Sequence, residues 1–312
     1  MGTTYNITLP ELPEALTAEL LQAEIDARLE AVNAEMSTYI PDSVISTFNE
    51  SDSTQWYPVS ADFASLVSLA LDISEASSGS YDVTVGPLVE LWGFGASRPG
   101  EGGGDRVPTD LEIAQAKERT GYDKLFARAE PPAIRKVQGN LRIDLSSIAK
   151  GYGVDQIATL LDDKGLTDYL VEIGGELRVQ GQSPRGDAWK IAVEKPDAGL
   201  QSVQRIISVG DTAMATSGDY RNFFEKEGKR FSHTIDPESG RPVAHSLASV
   251  TVLSQDTATA DGWATALMAL GDKQGPAVAE NQELAAFFII RTDSGFAFRE
   301  TSVFTELTSA ND

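Results

Sequence analysis

The run Thr257-Ala-Thr-Ala-Asp-Gly-Trp-Ala-Thr-Ala-Leu-Met-Ala-Leu-Gly271 constrains this chain more than any other. Its small and apolar residues from Ala258 to Leu270 read as one helix, and Gly271 is a natural stop. Asp261 and Thr265 stand four residues apart in it. That spacing sets a carboxylate and a hydroxyl on one helical face, one above the other. Two hard oxygen donors so placed suit Mg²⁺ or Ca²⁺. The same residues also describe an ordinary helix with an acid in its first turn and a Thr on its flank. Two further segments bear on the choice: Arg142-Ile-Asp-Leu-Ser-Ser-Ile-Ala-Lys-Gly-Tyr-Gly153 and Phe231-Ser-His-Thr-Ile-Asp-Pro-Glu-Ser-Gly-Arg-Pro-Val243.

Composition excludes several classes. With 47 acidic and 25 basic residues the formal charge is -22, a field that repels nucleic acid and anionic membrane surfaces. It also repels a polyphosphate, so a site for one needs a metal, backbone N–H groups or a few placed Lys and Arg side chains. The chain has no Cys. Disulfide and thiolate chemistry are therefore excluded, and the Cys count does not choose between compartments. The start, Met1 to Leu9, reads as a strand and not as a secretory leader. At 312 residues and 41% apolar, the chain can build a substantial core.

Helical and strand patterns alternate throughout. Residues 3 to 9 alternate as an edge-type strand. After Pro13, Ala18, Leu21, Ile25, Leu29, Val32 and Met36 form an apolar helical stripe. A polar turn region is expected from Pro41 to Thr54. Ser60 can cap a second amphipathic helix through Phe63, Leu66, Val67, Ala70, Leu71 and Ser74. The Gly- and Pro-rich stretch from Ser97 to Pro108 reads as a mobile loop. Thr109 or Asp110 opens a short helix ending near 119. Strands are expected near 133–137, 141–145, 168–173, 176–181, 188–194, 204–209, 231–235, 247–254, 286–291 and 295–299. Helices are expected from Gly153 to Lys164 and from Lys273 to Asn281. No linker or fixed-period repeat divides the chain. The expectation is one α+β domain over residues 1–312, with room for two subdomains.

The segment from Asp144 to Gly153 reads as a strand ending in two hydroxyls, then a glycine-spaced turn opening a helix. Backbone N–H groups at such a helix start can face a phosphate, and Lys150 can neutralise its charge. The alternative is a plain strand–turn–helix connection capped by Ser147. It is not a Walker loop, since Gly-x-x-x-x-Gly-Lys-Ser/Thr is absent. Gly174-Gly175 is expected to make a hairpin turn. His233 lies in an alternating segment before the turn at Asp236-Pro237. A histidine can take a hydroxyl proton at neutral pH, and it can equally be structural. The aromatic residues Tyr39, Tyr81, Trp92 and Phe94 suit either stacking on a flat heterocycle or a core.

Taken together these segments resemble the ApbE family of flavin transferases. The resemblance is carried by Met36-Ser-Thr-Tyr-Ile-Pro-Asp-Ser43, Ser46-Thr-Phe-Asn49, Tyr81-Asp-Val-Thr-Val-Gly-Pro87 and Leu91-Trp-Gly-Phe-Gly95. Further along it rests on Asp144-Leu-Ser-Ser147, Gly151-Tyr152, Ile173-Gly-Gly175, Ala215-Thr-Ser-Gly-Asp-Tyr-Arg-Asn222 and Ser232-His-Thr-Ile-Asp-Pro237. The segment from Ala260 to Thr265 closes it.

The resemblance implies a mixed fold around a flavin and metal cleft. It also implies an enzyme that binds FAD and Mg²⁺ and moves FMN onto a threonine hydroxyl of a target protein through a phosphoester, releasing AMP. The implied acceptors are flavin-bearing subunits of bacterial membrane redox complexes and related electron-transfer proteins, marked by a Ser/Thr-Gly-Ala/Ser-Thr type motif. Hydrolysis of FAD to FMN and AMP is a second activity compatible with the same residues. A flavin-binding protein without turnover is a third reading, of another class. The family's metal position matches Asp261 and Thr265 by side chain and Ala149 by its carbonyl. Met1, Tyr39, Tyr81, Asp82, Ser146, Tyr152 and Ile235 fall in its flavin-lining segments. His233 is the residue to accept the threonine proton. The resemblance further implies a periplasmic protein held at the inner membrane by a lipidated Cys. On that reading this chain is a mature domain beginning just upstream of its first strand.

Overall fold

The computed structural model describes residues 2–14, 16–95, 106–196, 203–219, 223–226 and 228–309. Met1, most of the Gly- and Pro-rich stretch before Pro108, and Tyr220, Arg221 and Asn222 lie outside them.

A seven-stranded antiparallel sheet organises the described residues, and its strands follow one another in space as they do in sequence. They are β1 (Tyr5–Thr8), β2 (Tyr169–Ile173), β3 (Glu176–Gln180), β4 (Thr212–Gly218), β5 (Leu247–Ser254), β6 (Ala285–Thr292) and β7 (Gly295–Glu300). Central β5 is buried along nearly its whole length, because both faces of the sheet are covered. On one face Val250, Val252, Ala286 and Phe288 join Phe63, Val67, Leu267 and Met268 in the main core. On the other, Val179, Met214, Leu253 and Phe287 pack against Ile191, Val193 and Ile207 of a two-stranded hairpin, Trp189–Glu194 and Val203–Val209, and against Phe304.

The helices are α1 (Ala18–Met36), α2 (Val44–Glu50), α3 (Ala61–Ala76), α4 (Gly86–Leu91), α5 (Asp110–Lys117), α6 (Ala149–Asp163), α7 (Thr257–Asn281) and α8 (Ser302–Ser309). Of the expected α1 stripe, Leu21, Ile25, Val32 and Met36 are buried. Ser60 caps α3 by accepting the Phe63 N–H, and Thr109 with Glu112 forms a capping box on α5. Gly271 breaks α7 at φ 73°, ψ -170°. A side chain there would run into the His245 ring, so the stop has a packing reason as well as a conformational one.

Several local expectations were displaced. The polar stretch from Pro41 to Thr54 contains α2, whose Ile45 and Phe48 are buried. Residues 141–145 form no ladder. The Asn49 side chain stands in for a neighbouring strand, accepting the Ile143 N–H and donating to its carbonyl, both at 2.8 Å. Helix α6 begins at Ala149, not Gly153, and Ile148 supplies no side-chain cap. Ser147 donates instead to the Tyr81 hydroxyl at 3.0 Å. Gly151 and Gly153 therefore lie inside the helix. At Gly151 a Cβ would strike the Thr257 carbonyl, so this glycine lets α6 and α7 cross closely. The expected strand at 231–235 is broken: Lys229–Ser232 and Ile235–Asp236 belong to two small ladders, with His233 between them. Among the described residues no helix is long and apolar enough to cross a membrane.

Candidate active site

A cavity of about 650 Å³ opens beside the sheet, a size usual for a small-molecule or cofactor site. It is lined by segments far apart in sequence: Tyr39, Tyr81 and Asp82, residues from Asp144 to Lys150, the β2–β3 turn, the ends of β3 and β4, His233 to Pro237, and Asp261, Thr265 and Ala269 of α7. Of the expected residues, it brings together Tyr39, Tyr81, Asp82, Ser146, His233, Ile235, Asp261 and Thr265. Ala149 and Tyr152 are not in the lining. Ala149 is the first residue of α6, one before the lining residue Lys150. The Tyr152 hydroxyl donates to Asp62 at 2.9 Å, and burial pushes it above the ordinary phenol range.

The aromatic residues divide. Tyr39 is 71% exposed at the lining, whereas Tyr81 and Trp92 are almost wholly buried. Trp92 stacks on Phe231 and donates to the Gly240 carbonyl, which makes it core. Phe94 lines the cavity and meets His233 edge-on, with ring centroids 6.4 Å apart. Asp82 is buried and locally satisfied, accepting from the Thr84 and Tyr122 N–H groups. Burial raises its pKa and these bonds oppose the rise.

Asp261 is the electrostatic centre. Its Oδ2 accepts the Gly151 N–H at 3.0 Å, and its Oδ1 lies 3.8 Å from Lys150 Nζ. Burial pushes its pKa up to about 7; Lys150 opposes the rise, and the nearby Glu176 carboxylate adds to it. Lys150 is also ion-paired with Glu176, which is 4% exposed. Glu176 Oε2 is buried with no hydrogen-bond partner.

Among the described residues, six carboxylates line the cavity, Asp82, Asp144, Glu172, Glu176, Glu194 and Asp261, beside a single lysine. Such a wall repels a phosphate unless a cation intervenes. No cluster of three His, Cys, Asp or Glu side chains forms a metal cage among the described residues. Mg²⁺ does not require one, since it is commonly held by one or two carboxylates, waters and substrate phosphates. The donor set of Asp261 and Thr265, in a cavity that Glu176 also lines, fits such an ion.

Glu176 belongs to no motif in the sequence, and Gly174-Gly175 reads there as a turn. Both glycines do turn the β2–β3 hairpin, with φ 64° and 109°, and both also line the cavity. The available signal for Glu176 was strand alternation. Glu176, Arg178 and Gln180 share one face of β3, the face on which Arg178 meets Asp155 of α6.

A family model described as the ApbE family matches residues 1–288. An FAD:protein FMN transferase of Vibrio cholerae is 47% identical over 97% of this chain and 89% of its own. The solved flavin transferase ApbE from Vibrio cholerae superposes with a TM-score of 0.89 at 45% identity, covering 98% of this chain and 96% of that one. The apo crystal structure of Pseudomonas stutzeri flavinyl transferase ApbE gives 0.89 at 39% identity, covering 100% and 95%. On the strength of this likeness across nearly the whole length, the chain belongs to the ApbE family.

Proposed function

We propose that this chain is an FAD:protein FMN transferase, acting over residues 1–312 as one domain, that moves FMN to a threonine hydroxyl and releases AMP. The observation that carries the reading is the buried Asp261 carboxylate, set one helical turn from Thr265 in a cavity walled by acids. That arrangement favours a cation, and with it a pyrophosphate, over a bare flavin ring.

Asp261, Thr265 and the Ala149 carbonyl would hold Mg²⁺. When bound, the ion neutralises the pyrophosphate and polarises it for attack. Tyr39 offers a ring face, and Tyr81, Asp82, Ser146, Tyr152, Ile235 and Met1 complete the flavin-nucleotide set. His233 accepts the threonine proton as Oγ attacks the phosphorus on the FMN side. One P–O bond forms there, the bond to the AMP phosphate breaks, and AMP departs with the displaced oxygen. We place the protein in the periplasm at the inner membrane, where flavin-bearing redox subunits are its acceptors. The family resemblance is the support for that location and those partners.

The test incubates the protein with FAD, Mg²⁺ and a peptide carrying the threonine motif, with mass spectrometry of all products. The expected result is a peptide heavier by FMN together with free AMP. Asp261→Ala should abolish it, and Thr265→Ala should weaken it less, since a neutral hydroxyl is the poorer ligand. Free FMN without adduct would convert the reading to a pyrophosphatase. Intact FAD would convert it to a binding protein.

A further inference from the structure

We propose that Glu176 is a positioning residue that holds the Lys150 ammonium beside Asp261 without letting it close on Oδ1. This rests on the metal reading above.

Of Asp261's two oxygens, Oδ2 is engaged by the Gly151 N–H at 3.0 Å, which leaves Oδ1 as the oxygen facing Lys150. The ammonium stops 3.8 Å from it. That is beyond the roughly 2.7–2.9 Å of a charge-assisted hydrogen bond. Its short ion pair is with Glu176 instead. Lys150 and Glu176 are thus drawn together on the inner wall, between α6 and β3.

A divalent cation and an ammonium compete for one carboxylate oxygen, because each is stabilised by the same negative charge. An ammonium closed onto Oδ1 would occupy the place of the ion and repel it. Glu176 prevents this by offering a second, buried carboxylate. The lysine is thereby retained near the incoming phosphates while Oδ1 stays open. Glu176 Oε2 is buried and unpartnered, so among the described residues the ion pair with Lys150 gives this carboxylate its side-chain partner.

The experiment measures Mg²⁺ affinity by calorimetry, without flavin, for the intact protein, Glu176→Gln, Glu176→Asp, Lys150→Met and the double variant Glu176→Gln/Lys150→Met. Glu176→Gln should weaken Mg²⁺ binding about tenfold, by removing the carboxylate that draws Lys150 away from Asp261 Oδ1. Glu176→Asp should restore most of it. Lys150→Met should bind Mg²⁺ at least as tightly as the parent protein. In that background Glu176→Gln should cost little, because the competitor is gone. Equal penalties with and without Lys150 would overturn the proposal, making Glu176 a direct ligand or a strut. So would weaker binding by Lys150→Met, which remains decisive even if Glu176→Gln fails to fold. No Mg²⁺ binding by the parent protein without flavin would overturn the proposal while leaving an ion held jointly with substrate phosphates; binding by the parent with unchanged variants would remove only the role of Glu176.

Discussion

Asp155 of α6 accepts the backbone N–H of Thr257, the first residue of α7, at 2.8 Å, and its other oxygen accepts that of Ala258 at 2.9 Å. Two of the unpaired N–H groups at the start of the Asp261 helix are thereby satisfied from a neighbouring helix. Asp256 satisfies another, accepting from Thr259 at 2.8 Å. Gly151 allows the approach, since a side chain there would collide with the Thr257 carbonyl. The acid–hydroxyl face is therefore fixed against α6 at its base.

Asp155→Ala should lower stability by about 1–2 kcal/mol through the loss of these caps. It should also weaken Mg²⁺ binding, because the start of α7 is no longer tied to α6. Urea denaturation and calorimetry check the two parts. An unchanged midpoint with unchanged affinity would show that α7 needs no such clamp.

The pH dependence of the metal-free protein should have an unusual sign. Burial holds the Asp261 pKa up at about 7, above the roughly 3.9 of an exposed Asp. Between these values the folded state binds more protons than the unfolded one, so this group makes stability fall as pH rises. Mg²⁺ requires the ionised carboxylate and releases the proton. Thermal stabilisation by a fixed Mg²⁺ concentration should therefore be larger at pH 8 than at pH 5.5. Equal shifts at both pH values would dissociate Asp261 from the ion.

Tyr39 is the exposed ring at the cavity. Stacking on an aromatic face contributes about 1 kcal/mol, so Tyr39→Ala should raise the FAD dissociation constant about five- to tenfold. Flavin fluorescence quenching measures it. An unaltered constant would place the ring system elsewhere in the cavity.

His233→Ala should cut FMN transfer by roughly a hundredfold, as expected for loss of a general base, while FAD binding persists. If the side chain serves only to pack against Phe94, which it meets edge-on, the variant should melt earlier yet transfer normally per folded molecule. Transfer kinetics and a melting curve on the same preparation separate base from strut.

Local chemistry was legible in the sequence because it is short-range. The α1 stripe, the caps Ser60 and Thr109, the β2–β3 turn and the Gly271 stop each depend on a few neighbouring residues. So does the pairing of Asp261 with Thr265 on one face of a helix. Tertiary structure decided the rest. Strand β4 was missed because Ala213, Met214 and Ala215 carry little strand signal of their own, yet they are buried between β3 and β5. The extended run 141–145 found its partner in a side chain 94 residues away. Glu176 joined the site because antiparallel pairing turned its face of β3 toward α6. Whether a carboxylate is a solvated surface charge or a buried one held against a lysine depends on what packs over it. For Glu176 and Asp261 that is set by contacts between elements distant in the chain, whose energies no local pattern carries.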